Sequence, residues 1–270
     1  MYLNDLRPSE IIDLSKEIAY SKSDPGFMRV RIKHHLHSRA RWLVRLLGLP
    51  FRLFPKEFAG WADDTIKRMG VHATTHVDAP WHYGPTDLAG NPLPAIHEMP
   101  LHLCFGPGVV FDMTHKEDGE EITCQDMEAD LERSEATLSP GTIVLIRTGR
   151  DKYQNTADYW KRGTGMSAAA TEWLIERGIL VMGIDQWGWD RPFHHQIATS
   201  KATGNSTVFW QGHLVGRRTP YWQIEQLRGL DALPDHGFYV SVFPLRIRNA
   251  SAAPARVVAF LYENLSEASV

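Results

Sequence analysis

Residues 72–82 read HATTHVDAPWH, a segment in which three histidines and one aspartate are closely spaced. In an extended strand, His72, His76 and Asp78 point to the same side, because side chains alternate with a period of two. In a helix, Asp78 would be rotated by about 200° from His76 and could not join both histidines. The intervening odd positions carry small or β-branched residues, which suit sheet packing. The segment is therefore predicted to be an extended strand that ends at Pro80.

Two imidazoles and a carboxylate on one side of a strand make the first half of a divalent-metal site. These groups suit Zn²⁺, Mn²⁺ and Fe²⁺ alike. His82 is a fourth candidate in the same segment. The alternative is a surface strand that carries His and Asp for solvation alone. The convergence of several ligand-type side chains favours the metal site.

The composition of the chain indicates a globular protein. Of its 270 residues, 43% are hydrophobic and 23% are charged, which is close to the average for soluble domains. The formal net charge of −3 gives no general attraction to phosphate backbones or anionic membranes. We therefore expect a small-molecule substrate as the partner, and neither nucleic acid nor a membrane.

The sequence also gives indications of the compartment. Residues 1–9 lack the apolar stretch of a signal peptide, and no apolar run reaches roughly 18 residues, the length that spans a bilayer. The two cysteines, Cys104 and Cys124, are too few for a disulfide scaffold and fit a reducing environment. We expect a cytoplasmic protein.

Strand and helix signals alternate along most of the chain. Apolar, β-branched runs predict strands, and capped amphipathic segments predict helices. The predicted strands are 11–15, 108–112, 142–147, 179–184, 238–243 and 255–261, and the predicted helices are 123–131 and 167–177. This order predicts an α/β fold, with a mixed central sheet or a barrel-like β core flanked by helices in a single domain over residues 1–270.

A basic segment stands out near the N-terminus. Residues 28–55 contain seven Lys or Arg residues and no acid, with apolar residues at helical spacing between them. We interpret this segment as an amphipathic insertion that forms a lid or a subunit contact. A membrane-surface role is the alternative.

The pattern of residues 72–82 resembles the H-x-G-T-H-x-D-x-P-x-H motif of the cyclase family, which includes bacterial kynurenine formamidase and isatin hydrolase. Residues 12–15 resemble the opening strand of the family, and residues 183–185 resemble a late strand end. The resemblance implies the swivelling β/β/α type of fold. One position departs from the motif, since Thr74 stands where the family usually has Gly. By strand alternation Thr74 faces the site, so we expect it to contact substrate.

The resemblance also implies roles for individual residues. His72, His76 and Asp78 would hold a first metal ion, and Asp78 would bridge to a second ion. The second ion would be held by a His and a Glu twelve residues apart, which here are His213 and Glu225. The further expected roles are general acid/base for His82, substrate contact for Trp81 and orientation of a ligand histidine for Asp185. The expected cofactor is Zn²⁺, with Mn²⁺ as the alternative and two ions as a possibility, and the expected assembly is a homodimer or homotetramer.

The function that these residues predict is metal-dependent hydrolysis. Metal-bound hydroxide would cleave the C–N bond of an aryl formamide or cyclic amide, or open a related lactone. One alternative is a ring-forming cyclase or dehydratase that acts on a polyketide-like substrate at the same metal site. A second alternative is a non-catalytic binding module that uses the metal to stabilise its fold.

Overall fold

The computed structural model describes residues 7–262. The strands of this part of the chain are β1 (Glu10–Asp13), β2 (Arg31–Lys33), β3 (Thr65–Arg68), β4 (His76–Asp78), β5 (Phe105–Asp112), β6 (Glu121–Ile122), β7 (Ile143–Arg147), β8 (Gly165–Met166), β9 (Val181–Ile184), β10 (Trp222–Glu225), β11 (Phe238–Pro244) and β12 (Ala252–Leu261). The α-helices are α1 (His37–Leu46), α2 (Pro80–Tyr83), α3 (Cys124–Ser134), α4 (Ala168–Glu176), α5 (Phe193–Thr203) and α6 (Gln211–Val215).

Seven strands close into a mixed β-barrel. Their order is β12-β11-β5-β7-β9-β10-β4, and β4 pairs again with β12. Neighbours from β5 to β10 run parallel, whereas β4, β11 and β12 make antiparallel pairs. The barrel and its flanking helices confirm the predicted α/β fold with a barrel-like core.

The long strand β12 closes the barrel because one of its edges pairs with two different strands. Residues 252–254 pair with β4, and residues 258–261 pair with β1, which lies outside the barrel. Closure removes the free edges that an open sheet would expose. It also fixes β4 between β10 and β12, so that His76 and Asp78 lie in the barrel wall.

Apolar side chains cover both faces of the central strands. In β7, Ile143 and Leu145 pack in one buried cluster, and Val144 and Ile146 pack in another with Leu174 of α4. Burial on both sides explains why β7 is a continuous apolar run in the sequence. The same double burial applies to β9, whose four residues are all buried.

Residues 18–70 form a compact unit of their own. In this unit β2 pairs with β3. The amphipathic helix expected across residues 28–55 is helical only at α1, apart from one 3-10 turn at Phe51–Leu53. The prediction of one domain with an insertion at 28–55 stays a prediction.

Local capping places α3 where the sequence predicts a helix. Thr123 and Asp126 form a reciprocal capping box, in which each side chain accepts a hydrogen bond from the backbone N–H of the other.

Within residues 7–262, no helix has the length and apolar character that crossing a bilayer requires.

Candidate metal centre

The first half of the site comes from the segment that contains β4. The prediction of one extended strand is wrong for residues 71–75, which form turns and bends, because the strand begins only at His76. Pro80 then opens α2, where its missing N–H and fixed φ suit the first helical position. The side chains converge nevertheless, since His72 Nδ1 lies 3.1 Å from His76 Nε2.

The carboxylate of Asp78 lies between these two imidazoles. Its Oδ1 is 2.8 Å from His72 Nδ1 and 3.2 Å from His76 Nε2. Burial raises the pKa of Asp78, but the imidazoles of His76, His72 and His82 outweigh it and hold that pKa well below its usual range. Burial lowers the pKa of His76, yet the negative charge of Asp78 raises it to about 8. The centre of the site therefore holds a carboxylate that stays ionised.

The turn before β4 is fixed by hydrogen bonds to its backbone. His76 Nδ1 donates to the carbonyl of Thr74 at 2.7 Å, which directs Nε2 towards Asp78. The Gln226 amide donates to the carbonyl of His72 at 2.8 Å. Thr74, expected to contact substrate, instead donates its hydroxyl to the backbone carbonyl of Lys16 at 3.1 Å and is buried.

Strand β10 supplies the second half of the site through its register with β4. Glu225 pairs with His76, and Gln223 pairs with Asp78. Because side chains alternate along a strand, both β10 residues project from the face that carries their partners. Glu225 Oε2 lies 3.7 Å from His76 Nε2. The backbone N–H groups of Gly188 and Trp189 donate to the Glu225 carboxylate at 3.2 and 3.1 Å.

His213, on α6, lies against the far side of Glu225. Its Nε2 is 3.6 Å from Glu225 Oε1 and 3.3 Å from Gln223 Nε2. Its Nδ1 lies 2.5 Å from Asp190 Oδ2. Burial lowers the pKa of His213, but hydrogen bonds with Asp190 and Glu225 outweigh it and raise that pKa to about 10. His213 thus belongs to the same cluster as Glu225.

His82 lies at the junction of the two halves. Its ring centroid is 4.4 Å from that of His72, 5.7 Å from that of His213 and 5.5 Å from that of Trp210. Burial lowers the pKa of His82 to about 4; the negative charge of Asp78 opposes this shift, and His72 and His213 reinforce it. The imidazole is therefore neutral near pH 7.

Two residues expected at the site have other surroundings. The Trp81 side chain is 44% exposed, and the indole that packs on His82 and stacks on His213 is that of Trp210. Asp185 accepts hydrogen bonds from Thr148 and from the backbone N–H of Gly149, and burial raises its pKa to about 6. The orienting role expected of Asp185 is filled by Asp190, whose Oδ2 faces Nδ1 of His213 and which sequence reasoning missed.

The side chains of this cluster fit a divalent metal ion. Within the described residues, His72, Asp78 and His82 form one group whose ligand atoms lie within 4.8 Å of one another, and His76, Asp78 and Glu225 form another. Both oxygens of Asp78 are buried, and within residues 7–262 neither has a hydrogen-bond partner beyond the imidazole nitrogens of His72 and His76 that contact Oδ1. A buried carboxylate is costly unless positive charge or hydrogen bonds satisfy it. Imidazole and carboxylate are the ligands of such ions.

Comparison with known proteins gives matches over most of the chain. The family model "Putative cyclase" matches residues 12–191. Kynurenine formamidase of Bordetella petrii is 29% identical over 192 residues, which cover 71% of this chain and 77% of the relative. Kynurenine formamidase of Maricaulis maris is 28% identical over 193 residues, covering 70% and 77%.

Solved structures share the fold. Isatin hydrolase A from Labrenzia aggregata, bound to benzyl benzoate, aligns with a TM-score of 0.69 and 23% identity over 94% of each chain. Isatin hydrolase A from Ralstonia solanacearum aligns with a TM-score of 0.68 and 22% identity, covering 93% of this chain and 92% of that one.

Proposed function

Since this chain belongs to the cyclase family, we propose that it is a metal-dependent hydrolase of C–N bonds. The substrate class we propose is an aryl formamide or a cyclic amide, with related lactones as further candidates. The observation that carries the proposal is the placement of Asp78, a fully buried carboxylate, against the ring nitrogens of His72 and His76. The relatives named kynurenine formamidase support an amide substrate.

We assign the ion to His72, His76 and Asp78, with Zn²⁺ as the first candidate and Mn²⁺ as the second. When bound, such an ion lowers the pKa of a water molecule towards 7 and polarises a carbonyl group. The hydrogen bond from His76 Nδ1 to the Thr74 carbonyl keeps Nε2 turned towards Asp78. The hydrogen bond from Gln226 to the His72 carbonyl fixes the turn that presents the other imidazole.

His82 is the proposed proton carrier. Its neutral imidazole accepts a proton from water and returns it to the leaving nitrogen, so that the amine departs uncharged. The indole of Trp210 packs on His82 and offers an apolar face to a planar substrate. Cleavage of an amide beside an aromatic ring fits these two neighbours.

The test is an assay of the purified protein against N-formylkynurenine, isatin and simple lactones. The protein is stripped with a chelator and then reloaded with Zn²⁺ or Mn²⁺. We expect turnover of an amide substrate by the reloaded protein and none by the stripped protein. Absence of turnover of all three classes by folded, reloaded protein would contradict the proposal and favour a ring-forming reaction at the same centre.

We also propose that the protein is a homo-oligomer in which the 28–55 segment contacts another copy. Three leucines of this segment are widely exposed: Leu36 at 76%, Leu46 at 80% and Leu47 at 85%. Exposed apolar side chains favour a contact surface where they are adjacent, as Leu46 and Leu47 are. Light scattering should give the mass of a dimer or tetramer for the wild type and a lower mass for Leu46→Glu/Leu47→Glu. A monomeric wild type would contradict this proposal.

A further inference from the structure

Gln223 is a neutral side chain at the centre of a cluster of ligand-type residues. It is fully buried on β10, directly opposite Asp78 and two residues before Glu225. A primary amide is an uncommon ligand for Zn²⁺, which prefers imidazole, thiolate and carboxylate. The hydrogen bonds of this amide therefore indicate what the second half of the site does.

The direction of the Gln223 amide follows from its neighbours. The Tyr221 hydroxyl lies 3.0 Å from Gln223 Oε1 and 3.0 Å from the Gly212 carbonyl, so these two acceptors share its single hydrogen. At the other end, Gln223 Nε2 donates to Glu225 Oε1 at 2.5 Å and lies 3.3 Å from His213 Nε2. The opposite orientation would place the amide oxygen against a carboxylate oxygen. The NH₂ end therefore lies between His213 and Glu225.

This NH₂ group uses the lone pair that His213 would offer to a metal. His213 Nδ1 faces the carboxylate of Asp190 at 2.5 Å, so Nδ1 carries a hydrogen; in the neutral ring, which is the form that binds a metal, Nε2 has the single lone pair. An N–H of Gln223 points at that lone pair. A histidine ligand needs that lone pair for the metal bond, so a metal ion would have to displace the Gln223 NH₂ group that lies 3.3 Å from Nε2.

The carboxylate of Glu225 also accepts hydrogen bonds from its neighbours. Its Oε1 accepts hydrogen bonds from Gln223 Nε2 and from the backbone N–H of Trp189. Its Oε2 accepts from the backbone N–H of Gly188 and turns towards His76. The oxygen nearest to His213 thus has two donors, whereas within the described residues the Asp78 oxygens have no partner beyond the imidazole nitrogens at Oδ1.

We propose that this chain binds one divalent ion, at His72, His76 and Asp78, and that the Gln223 amide occupies the coordination position between His213 and Glu225 where a second ion would bind. Asp78 then serves one ion and does not bridge two. The inference rests on the metal centre of the proposed function.

The test is the number of ions per chain, counted by elemental analysis after metal-free protein is reloaded with excess Mn²⁺ and gel-filtered. The wild type should retain one Mn²⁺. Gln223→Ala releases the lone pairs of His213 and Glu225, so this variant should retain two. The control Gln223→Ala/His213→Ala lacks the freed imidazole and should return to one. Electron paramagnetic resonance should show isolated Mn²⁺ in the wild type and a coupled pair in Gln223→Ala.

The wild type alone decides the count, even if a variant fails to fold. Two ions in the wild type would overturn the role of Gln223 and leave the proposed hydrolase intact. One ion in both the wild type and a folded Gln223→Ala would also overturn it, because the amide would not be what excludes the second ion. Absence of any ion in the wild type would refute the metal centre and the inference together.

Discussion

The two halves of the site are built in different ways. His72, His76, Asp78 and His82 follow one another within a single short segment. The second half joins three distant segments, with Asp190 after β9, His213 on α6, and Gln223 and Glu225 on β10. Within the described residues, no backbone N–H donates to the Asp78 carboxylate of the first half, which contacts imidazole nitrogens, whereas the Glu225 and Asp190 carboxylates of the second half accept backbone N–H hydrogen bonds. The first half has the groups that bind a cation, and the second half is a hydrogen-bonded framework beside it.

Substitution of His82 should give the largest effect on turnover. His82→Ala removes the proton carrier, so kcat should fall by about 10²–10⁴-fold. The ion should stay bound, because His72, His76 and Asp78 remain. His115→Ala, at a histidine whose side chain is 61% exposed, is the matched control and should behave as wild type. The measurements are steady-state kinetics and metal content, and loss of the ion from His82→Ala would make His82 a ligand.

Substitution of Glu225 tests how far the second half of the site supports metal binding by the first half. Glu225→Gln keeps the shape but removes the negative charge that faces His76 Nε2. We expect the metal affinity to fall by about 10–100-fold, as for other groups that contact a ligand without binding the ion. Titration calorimetry with Zn²⁺ measures this change. Complete loss of binding would place Glu225 among the ligands.

Substitution of Asp190 should affect stability more than metal content. Asp190 is buried and accepts from His213 Nδ1 and from the backbone N–H of Gly212, near the start of α6. Asp190→Asn removes the charge and one acceptor, so the free energy of unfolding should fall by about 1–3 kcal/mol. Urea unfolding gives the value, and elemental analysis should find the same ion content as in the wild type. A variant that unfolds normally but loses its ion would show that His213 is a metal ligand.

The smallest effect is expected at Thr74. Thr74→Val removes the hydroxyl that donates to the Lys16 carbonyl and should cost about 1 kcal/mol of unfolding free energy. Thr74→Ser keeps the hydroxyl and is the matched control. If Thr74→Val instead raised KM without changing the unfolding midpoint, Thr74 would contact substrate.

The contrast between the two halves of the site also explains which strands could be predicted from the sequence. Strands with apolar runs, such as β7 and β9, were predictable because burial on both faces requires a continuous run of apolar residues in the sequence. Strand β10 reads Trp-Gln-Ile-Glu, and its buried polar residues resemble those of an exposed strand. Its predicted member, Glu225, came from family resemblance alone.

The site residues that could be predicted also differ from those that could not in their spacing along the chain. The ligand set in residues 72–82 was predictable because the residues are neighbours along the chain, even though residues 71–75 form turns rather than a strand. Asp190 and Gln223 act through contacts 23 and 10 positions away, and neither contact has a local signal. The substrate contact expected of Thr74 stays a prediction, but its basis in strand alternation does not hold, because alternation applies only within a strand and β4 begins at His76.

The central claim is that His72, His76 and Asp78 bind a catalytic divalent ion. The most direct measurement is the metal content and the amide hydrolase activity of His76→Ala, with wild type and His115→Ala prepared in parallel. We predict that wild type and His115→Ala retain their ion and turn over substrate, whereas folded His76→Ala retains neither ion nor activity. A His76→Ala protein that kept its ion and its activity would contradict the account.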